Sequence, residues 1–204
     1  MKDDNLKETL VLGLEKMGLK TDPVSLLAYL DLLAKWNQTY NLTAIRNPLD
    51  MVSKHILDSL AVVPYIKGDI IADVGTGAGL PGIPLALYFA NKKVFLFESI
   101  GKKVRFLENV VRTLKLANVE VVHGRVEDYQ GKVRFDTVIS RAVGSIAELI
   151  KWTAPLIMPN GRWLFMKGES GEDECAILDK AYTRYNYQLP YLKDARCIIC
   201  IEDS

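Results

Sequence analysis

The sequence predicts an α/β fold: a mostly parallel sheet with an antiparallel hairpin at its C-terminal end, preceded by a helical extension. Before Lys67 apolar residues recur only at helical spacing, whereas after Gly68 short apolar runs alternate with helical stretches. Such alternation is typical of parallel sheets covered by helices on both faces. The last two apolar runs have no helix between them and predict the hairpin. With 204 residues, we expect one domain over 68–204 and an extension over 1–67.

Three helices are predicted in the extension. The first has apolar residues at spacings of three and four and ends at Gly18. The second begins with Asp22 as its cap and Pro23 in its first turn. The third covers 48–63 and is ended by Pro64.

Seven strands are predicted after the extension. They lie at 70–74, 93–98, 119–123, 135–140, 162–167, 185–192 and 195–201. Helices are predicted between most of them, at 80–90, 102–116, 145–154 and 173–182. In open sheets of this kind ligands bind beyond the carboxyl ends of the strands, where the strand order reverses. We therefore expect the functional site at that edge.

The composition excludes several classes of protein. Hydrophobic residues make up 49% and charged residues 25% of the chain, which excludes a disordered or collagen-like protein. No stretch reaches the roughly 18 consecutive apolar residues of a transmembrane helix, and the N-terminus lacks the apolar segment of a secretion signal. Three cysteines are too few for a disulfide framework. We therefore expect a cytoplasmic protein.

Charge is unevenly distributed although the net charge is only +1. Residues 101–141 carry an excess of four positive charges, and residues 169–204 carry an excess of four negative charges. One face could therefore attract a polyanion. An ordinary solvated helix face explains the same count, and on the count alone it is the favoured interpretation.

A glycine-rich loop follows the first predicted strand, in the run Asp73-Val74-Gly75-Thr76-Gly77-Ala78-Gly79. Glycine adopts positive φ at little cost and lets a ligand approach the backbone. The next helix, begun by Pro81, offers unpaired N–H groups. Gly77-x-Gly79-x-x-Gly82 also fits the dinucleotide pattern, but the strand ends at Val74, so the turn reads G-x-G-x-G from Gly75. The loop predicts a cofactor site with contacts at Gly75 and Gly77; a simple tight turn is the alternative.

Asp73 favours S-adenosylmethionine over NAD as that cofactor. A carboxylate at the mouth of the loop repels a pyrophosphate but attracts the α-ammonium group of S-adenosylmethionine. Glu98 ends the second strand, 19 residues after Gly79, and an acid at that distance can accept hydrogen bonds from both ribose hydroxyls of either cofactor. Glu127, after the third strand, is expected to bracket the adenine.

Six segments carry a resemblance to a known family. They are Trp36-Asn37, Asn41-Leu42-Thr43, His55-Ile56-Leu57-Asp58-Ser59-Leu60, Asp73–Pro84, Ser140-Arg141-Ala142 and Met166-Lys167-Gly168. Together they resemble the glucose-inhibited division protein B (GidB) family, the bacterial 16S ribosomal RNA (guanine-N7)-methyltransferases. The glycine loop alone is typical of any class I methyltransferase, whereas the combination is far more specific. The resemblance runs from about Leu26 to the final strand.

The resemblance implies a class I S-adenosylmethionine-dependent methyltransferase fold, Rossmann-like, and methylation of a guanine in the decoding-region loop of 16S ribosomal RNA. It implies cofactor contacts at Gly75, Leu80, Val126, Glu127 and Arg141. It also makes Asn41 and His55 candidates for substrate binding. Glu98 stands where many relatives are expected to have Asp, an exchange that keeps the hydroxyl acceptor.

Two motifs that the sequence lacks argue against two other kinds of methyl transfer. No Asn/Asp-Pro-Pro-aromatic motif, which exocyclic-amine methyltransferases use, follows the fourth strand. No cysteine precedes Cys175, so the nucleophile of C5-pyrimidine methylation is missing. Guanine N7 carries a free lone pair and no proton, so its methylation needs alignment rather than a general base. These absences agree with the resemblance but do not single out N7.

Arg141 is the candidate catalytic residue. At the end of the fourth strand its guanidinium could hold the cofactor, guanine O6 or a flanking phosphate; an ion pair with a nearby acid is the alternative. Further cations could contact RNA phosphates or simply face solvent. They are Lys102, Lys103 and Arg105 after the second strand and Lys167 after the fifth.

Other functions stay open at this point. An NAD-dependent oxidoreductase is opposed by Asp73, and a non-catalytic RNA-binding or ribosome-associated module is opposed by the intact loop. A small-molecule methyltransferase is a third alternative. Cys197 and Cys200 have CxxC spacing without further ligands, so we expect buried cysteines and no metal. The expected protein is a monomer that uses S-adenosylmethionine on 16S ribosomal RNA of the small subunit, away from membranes.

Overall fold

A seven-stranded mixed sheet organises the molecule, as seen in a computed structural model that describes residues 2–141, 144–168, 174 and 180–203. The strand order is β3-β2-β1-β4-β5-β7-β6. The first five strands are parallel, and β7 pairs antiparallel with both β5 and β6. The strands are β1 (Ile70–Val74), β2 (Lys93–Glu98), β3 (Val119–His123), β4 (Phe135–Arg141), β5 (Ile157–Lys167), β6 (Thr183–Tyr187) and β7 (Arg196–Glu202). The α/β prediction with a terminal hairpin is confirmed.

Seven α-helices surround the sheet in the part of the chain that the structure describes. They are α1 (Lys2–Lys16), α2 (Pro23–Tyr40), α3 (Pro48–Met51), α4 (Asp58–Leu60), α5 (Gly82–Tyr88), α6 (Gly101–Leu114) and α7 (Ile146–Thr153). A π-helical turn, Val52–Leu57, joins α3 to α4, so the predicted third helix is continuous over 48–60, wider in its middle and three residues shorter than predicted. Such π-helical turns often occur at functional sites.

Side chains of the strands point alternately into two apolar cores, one on each face of the sheet. In β5, Leu164 and Met166 enter one core, and Trp163 and Phe165 enter the other. Period-two alternation produces this division because successive strand residues point to opposite faces. The first core also contains buried residues of α1, α2 and the π-helical turn, so the helical extension covers one face of the sheet.

The sheet reverses its order between β1 and β4. From β1 the chain continues outward through β2 and β3, and from β4 it continues in the other direction through β5. The carboxyl ends of β1 and β4 therefore flank the switch point, with the glycine loop after one and Arg141 at the end of the other. This is the edge where the sequence predicts the site.

Some predicted elements are placed differently. The helix predicted at 80–90 spans Gly82–Tyr88, because the glycine loop delays its start and Phe89 leaves helical geometry. The strand predicted at 185–192 is β6, Thr183–Tyr187. It ends early because Pro190 has no N–H to donate and Tyr191 has a φ of 70°. Most of the helix predicted at 173–182 lies outside the described residues, and 180–182 are not helical.

Candidate functional site

The glycine loop has the backbone geometry that its sequence predicts. Gly75, Gly77 and Gly79 have φ values of 68°, 63° and 91°, all in the left-handed region. The N–H groups of Gly75 and Thr76 donate to the carbonyl of Phe97 at 3.0 and 3.1 Å, which fastens the loop to the end of β2. A Cβ on Gly77 would meet protein atoms no closer than 3.9 Å, so this glycine faces open space.

Asp73 lies beneath the loop and is fully buried. Its Oδ2 accepts hydrogen bonds from Thr76 Oγ1 at 2.5 Å and from the Gly82 N–H at 2.7 Å, so one oxygen ties both ends of the loop together. Its Oδ1 has no protein partner. Burial raises the pKa of Asp73 to about 6, against the opposing effect of these hydrogen bonds. One oxygen of the carboxylate is therefore left without a partner beneath the loop.

Glu98 supports the other side of the loop. Its Oε2 accepts a hydrogen bond from the Gly77 N–H at 3.0 Å, and its Oε1 accepts one from the Ile100 N–H at 2.8 Å. Lys103 Nζ lies 3.8 Å from Oε2. The side chain is buried, and an ionised carboxylate keeps lone pairs for further donors.

The predicted adenine contacts lie beyond β3. Val126 is buried in the second core and begins a short 3₁₀ turn, Val126–Asp128. Glu127 follows it, with Arg125 Nη1 3.4 Å from its Oε1. Neither residue lines the cavity described next; they follow β3, which lies two strands from β1 and its glycine loop.

A cavity of about 460 Å³ opens at the switch point. It brings together seven of the predicted site residues: Gly75, Gly77, Leu80, Arg141, His55, Lys103 and Lys167. Its wall also contains Leu42, Thr43, Ile45, Lys54, Asp58, Thr76, Ala78, Met166, Gly168 and Arg196. The extension therefore forms one wall and the glycine loop the opposite one.

Arg141 is held in this cavity by the extension. Its Nη1 donates to Asp58 Oδ2 and to the Lys54 carbonyl, each at 2.9 Å. The ion pair that the sequence left open as an alternative role is thus present, and the side chain lines the cavity as well. An arginine fixed through one nitrogen can still direct its remaining N–H groups toward a ligand.

Asp58 joins four elements through one buried carboxylate. Besides Arg141, its Oδ2 accepts from Arg196 Nη1 at 3.2 Å, and its Oδ1 accepts from the Tyr187 hydroxyl at 2.8 Å. The hydrogen bond to Asp58 and burial both raise the pKa of Tyr187, burial more. The C-terminal hairpin is thereby fastened to α4 beside the cavity.

His55 projects from the π-helical turn into the cavity wall. It is buried, its Nε2 lies 3.1 Å from Thr43 Oγ1, and its Nδ1 has no protein partner. Burial and, to a smaller extent, the Arg141 guanidinium lower the pKa of His55 to about 4, so the ring is neutral at pH 7. A neutral ring with one free nitrogen can position a ligand by hydrogen bonding.

Of the remaining predicted RNA contacts, only Lys167 is among the residues that line the cavity. Asn41 caps α2 with a φ of 48°, and its Oδ1 accepts from Arg46 Nη2 at 2.8 Å. Lys102 Nζ donates to the Tyr40 carbonyl at 2.9 Å, and Arg105 is exposed on α6. Lys167, which does line the cavity, donates to both carboxylate oxygens of Glu174 at 2.9 Å.

Sequence reasoning missed the roles of Asp58, Arg196 and Tyr187. Asp58 carried a usable signal, since residues three apart share one face of a helix and His55 precedes it by three. Arg196 and Tyr187 gave no such signal. They approach Asp58 only through the pairing of β6 with β7.

No shared metal site arises from the two C-terminal cysteines. Cys197 lies in one apolar core and Cys200 in the other, because residues three apart in a strand point to opposite faces. Across the described part of the chain, no cluster of three or more His, Cys, Asp or Glu is placed to hold a metal ion. None of the described helices is both long enough and apolar enough to span a membrane.

Comparison with known proteins gives a consistent set of relatives. The family model described as GidB, rRNA small subunit methyltransferase G, matches residues 23–196. The ribosomal RNA small subunit methyltransferase G of Legionella pneumophila strain Philadelphia 1 is 46% identical over 199 residues, covering 98% of this chain and 96% of its own. Its namesake in Pseudomonas syringae pv. syringae strain B728a is 51% identical over 169 residues, covering 81% and 79%.

Solved structures share the fold at low sequence identity. A SAM-dependent methyltransferase from Aquifex aeolicus has a TM-score of 0.60 at 14% identity and covers 80% of this chain and 97% of its own. A methyltransferase from Pyrococcus furiosus has the same score and identity and covers 86% and 95%. M. jannaschii TYW2, crystallised with AdoMet, has a TM-score of 0.54 at 17% identity and covers 72% and 74%. The Rossmann-like methyltransferase fold is confirmed.

Proposed function

The chain belongs to the GidB family of small-subunit ribosomal RNA methyltransferases, and on that premise we propose that it methylates N7 of a guanine in 16S ribosomal RNA. S-adenosylmethionine is the methyl donor in this proposal. The observation that carries it is the juxtaposition of the glycine loop, which Asp73 fastens from beneath, and Arg141 in one cavity.

The residues around the loop fit S-adenosylmethionine. The free Oδ1 of Asp73 suits an ammonium group, and the open space at Gly77 suits close approach to the backbone. We propose that Gly75, Gly77 and Leu80 hold the amino-acid end together with Asp73. We assign the ribose to Glu98, which accepts from the Gly77 N–H of the cavity wall, and the adenine to Val126 and Glu127, whose place beyond β3 suits an elongated ligand.

The chemistry requires positioning rather than proton transfer. When bound, S-adenosylmethionine supplies an electrophilic methyl group, whose bond to sulfur breaks as the N7 lone pair forms the new N–C bond. No proton leaves the guanine, so the neutral His55 is not needed as a base. We propose that Arg141 and His55 orient the guanine and that Arg141 hydrogen-bonds O6 or the adjoining phosphate.

The RNA surface in this proposal surrounds the cavity. In this proposal Lys103 and Lys167 of the cavity wall, together with Asn41, Lys102 and Arg105, contact the nucleotides next to the guanine. All of these residues come from one chain, and we propose that a monomer is sufficient. A methyl donor that is already activated requires no metal ion, and ribosomal RNA as substrate places the reaction in the cytoplasm.

The three other functions find no support in the comparisons. The relatives are named for ribosomal RNA, which opposes a small-molecule methyltransferase. The relatives and solved structures named above are methyltransferases, which opposes an NAD-dependent oxidoreductase. The non-catalytic module is opposed by the intact loop, with all three glycines at positive φ and Asp73 beneath them.

One experiment tests the proposal directly. Purified protein is incubated with labelled S-adenosylmethionine and small ribosomal subunits that lack the modification, and the labelled nucleotide is mapped. We expect label at N7 of one guanine in 16S ribosomal RNA, and Arg141→Ala should lower its rate at least tenfold. Label at another atom or in another RNA, or no label with intact cofactor binding, would contradict the proposal.

A further inference from the structure

We propose that a second, basic groove beside the cavity holds the single-stranded RNA that adjoins the target guanine; this inference rests on the function proposed above. The groove has a volume of about 560 Å³ and lies on the β6–β7 hairpin, at the outer edge of the sheet. Its lining includes Arg184, Asn186, Tyr187, Gln188, Lys193 and Arg196.

Arg196 connects this groove to the cavity, because its side chain lines both. Cys197, its neighbour in β7, pairs with Lys167 at the carboxyl end of β5, which puts Arg196 at the same edge of the sheet as the glycine loop. Asp58 fixes the junction, since it accepts hydrogen bonds from both Arg196 and Tyr187. The groove is therefore held in a set position relative to Arg141.

The lining has the chemistry of a polyanion site. It contains two arginines, one lysine and two amides, and no carboxylate is among its residues in the described part of the chain; Asp58, from the cavity side, pairs with Arg196. The acidic residues of the C-terminal stretch that the structure describes lie elsewhere: Glu202 pairs with Arg162 at the far end of β7, and Glu174 pairs with Lys167. Asp194 follows Lys193 but does not line the groove.

Single-stranded RNA fits this arrangement better than a duplex. A base whose N7 reacts inside a cavity must leave its stack, and its backbone must continue outside the cavity on both sides. Arginine and lysine bind the phosphates of such a strand, while amides such as Asn186 and Gln188 can pair with unstacked bases. The groove offers such a path directly from the junction at Arg196.

Lys193→Glu tests the inference at an exposed residue, so the fold should be kept. Its matched control is Lys132→Glu. Lys132 is also exposed and precedes the amino end of β4, so it lies at the ends of the parallel strands that face away from the cavity. Binding to deproteinised, unmodified 16S ribosomal RNA is measured over a series of salt concentrations. We expect Lys193→Glu to lower the dependence of log affinity on log salt by about 0.7, which corresponds to about fivefold weaker binding at 0.1 M salt.

Cofactor affinity and methyl transfer are measured on the same samples, and the results distinguish the possible outcomes. Weaker RNA binding by Lys193→Glu alone, with unchanged affinity for S-adenosylhomocysteine, supports the groove. Unchanged RNA affinity, or equal losses in both variants, overturns it even if the wild-type protein methylates 16S ribosomal RNA. If instead Lys193→Glu weakens RNA binding but the wild-type protein methylates no ribosomal RNA, the groove stands and the proposed function falls.

Discussion

At the scale of single residues, Asp73 performs two tasks that respond differently to pH. Its Oδ2 fastens the glycine loop, and its Oδ1 is the oxygen that we assign to the cofactor ammonium. Burial raises its pKa to about 6 in the folded protein, above the ordinary value of 3.8. The proton on this group is therefore bound more tightly by the folded chain than by the unfolded one.

Cofactor affinity is predicted to fall as the pH drops through 6. An ammonium group favours the ionised carboxylate, so binding must displace the proton at lower pH, and the dissociation constant should rise by up to about tenfold per pH unit. Calorimetry with S-adenosylhomocysteine between pH 7.5 and 5 measures this. Asp73→Asn should bind more weakly and without that dependence, and a flat wild-type profile would contradict the assignment.

Stability of the cofactor-free protein should change in the opposite direction. Because the folded-state pKa of Asp73 is raised, the stabilising contribution of this group is fully present below the unfolded value near 3.8 and is lost as the pH rises through 6. Other groups titrate in this range too, so the difference between wild type and Asp73→Asn is the relevant quantity in thermal unfolding.

Asp58 is predicted to be needed for both stability and methyl transfer. Asp58→Asn keeps the shape of the side chain but removes the charge that balances two partly buried arginines, Arg141 and Arg196. Breaking a buried pair of this kind costs about 3 kcal/mol, and methyl transfer should fall at least tenfold because Arg141 loses its anchor. Urea unfolding and the labelling reaction measure the two effects.

An exposed carboxylate on the neighbouring helix serves as the control. Asp50 lies 3.7 Å from Lys54, and its side chain is 50% exposed. Asp50→Asn should cost less than about 1 kcal/mol and leave methyl transfer unchanged. Equal effects of the two substitutions would show that the contacts of Asp58 have no special importance.

The role of a residue could be predicted from the sequence where all the residues that act together lie in one segment of the chain. The run from Asp73 to Gly79 shows its strand end, acid and glycines in order, and the structure places them as one loop. The partners of Asp58 were not predictable, because Tyr187 and Arg196 lie about 130 residues away along the chain. They come near because β6 pairs with β7 and β7 pairs with β5.

At the scale of elements, the glycine loop is the segment whose sequence most directly determines the shape of the cavity wall. Gly77 has a φ of 63°, and its missing Cβ leaves open space in the cavity wall. An alanine there would be strained and would also extend into the space that a ligand needs. These two effects can be separated, because Gly18 has a φ of 67°, nothing within 4 Å and a position far from the cavity.

Gly77→Ala is predicted to lose cofactor affinity, whereas Gly18→Ala is not. Both substitutions place a side chain in the left-handed region and should cost about 1 kcal/mol of folding free energy. Only Gly77→Ala should also weaken binding of S-adenosylhomocysteine, by at least tenfold, as measured by calorimetry. Similar stability losses with unchanged affinity in both variants would refute close approach of the cofactor at Gly77.

Strands and helices were predictable where apolar periodicity is regular. The first three strands match their predicted limits, because each is a short run rich in apolar residues with polar or glycine residues on both sides. The limits of β6 were wrong, because its run of tyrosines and leucine continues past the point where Pro190 and Tyr191 end the pairing. Periodicity does not report where a ladder of hydrogen bonds stops.

At the scale of the whole molecule, the helical extension and the sheet share one core. Buried leucines of α1 and α2 lie in the same apolar cluster as Leu164 and Ile198 of the sheet. The extension also contacts the glycine loop itself, since the fully buried hydroxyl of Tyr29 donates to the Ala78 carbonyl at 2.7 Å. The boundary predicted at residue 67 thus separates two sequence patterns, and we expect no separate unfolding on its two sides.

Tyr29→Phe is predicted to lower stability and cofactor affinity together. It removes one hydroxyl and leaves the Ala78 carbonyl buried without its donor, at a cost of about 1–3 kcal/mol. Because that carbonyl belongs to the glycine loop, binding of S-adenosylhomocysteine should weaken as well. Amide exchange should show α2 and β1 protected to the same free energy, lowered equally by the substitution, since one core joins them.

Tyr40→Phe on the same helix provides the comparison, because the Tyr40 side chain is partly exposed and its hydroxyl has no hydrogen bond among the described residues. That variant should leave stability, exchange and affinity near wild type. If Tyr29→Phe lowered protection in α2 while β1 kept its own, the extension would be a separate folding unit. Its contribution to the cavity wall would then depend on docking, and cofactor affinity would vary with the docking equilibrium rather than with global stability.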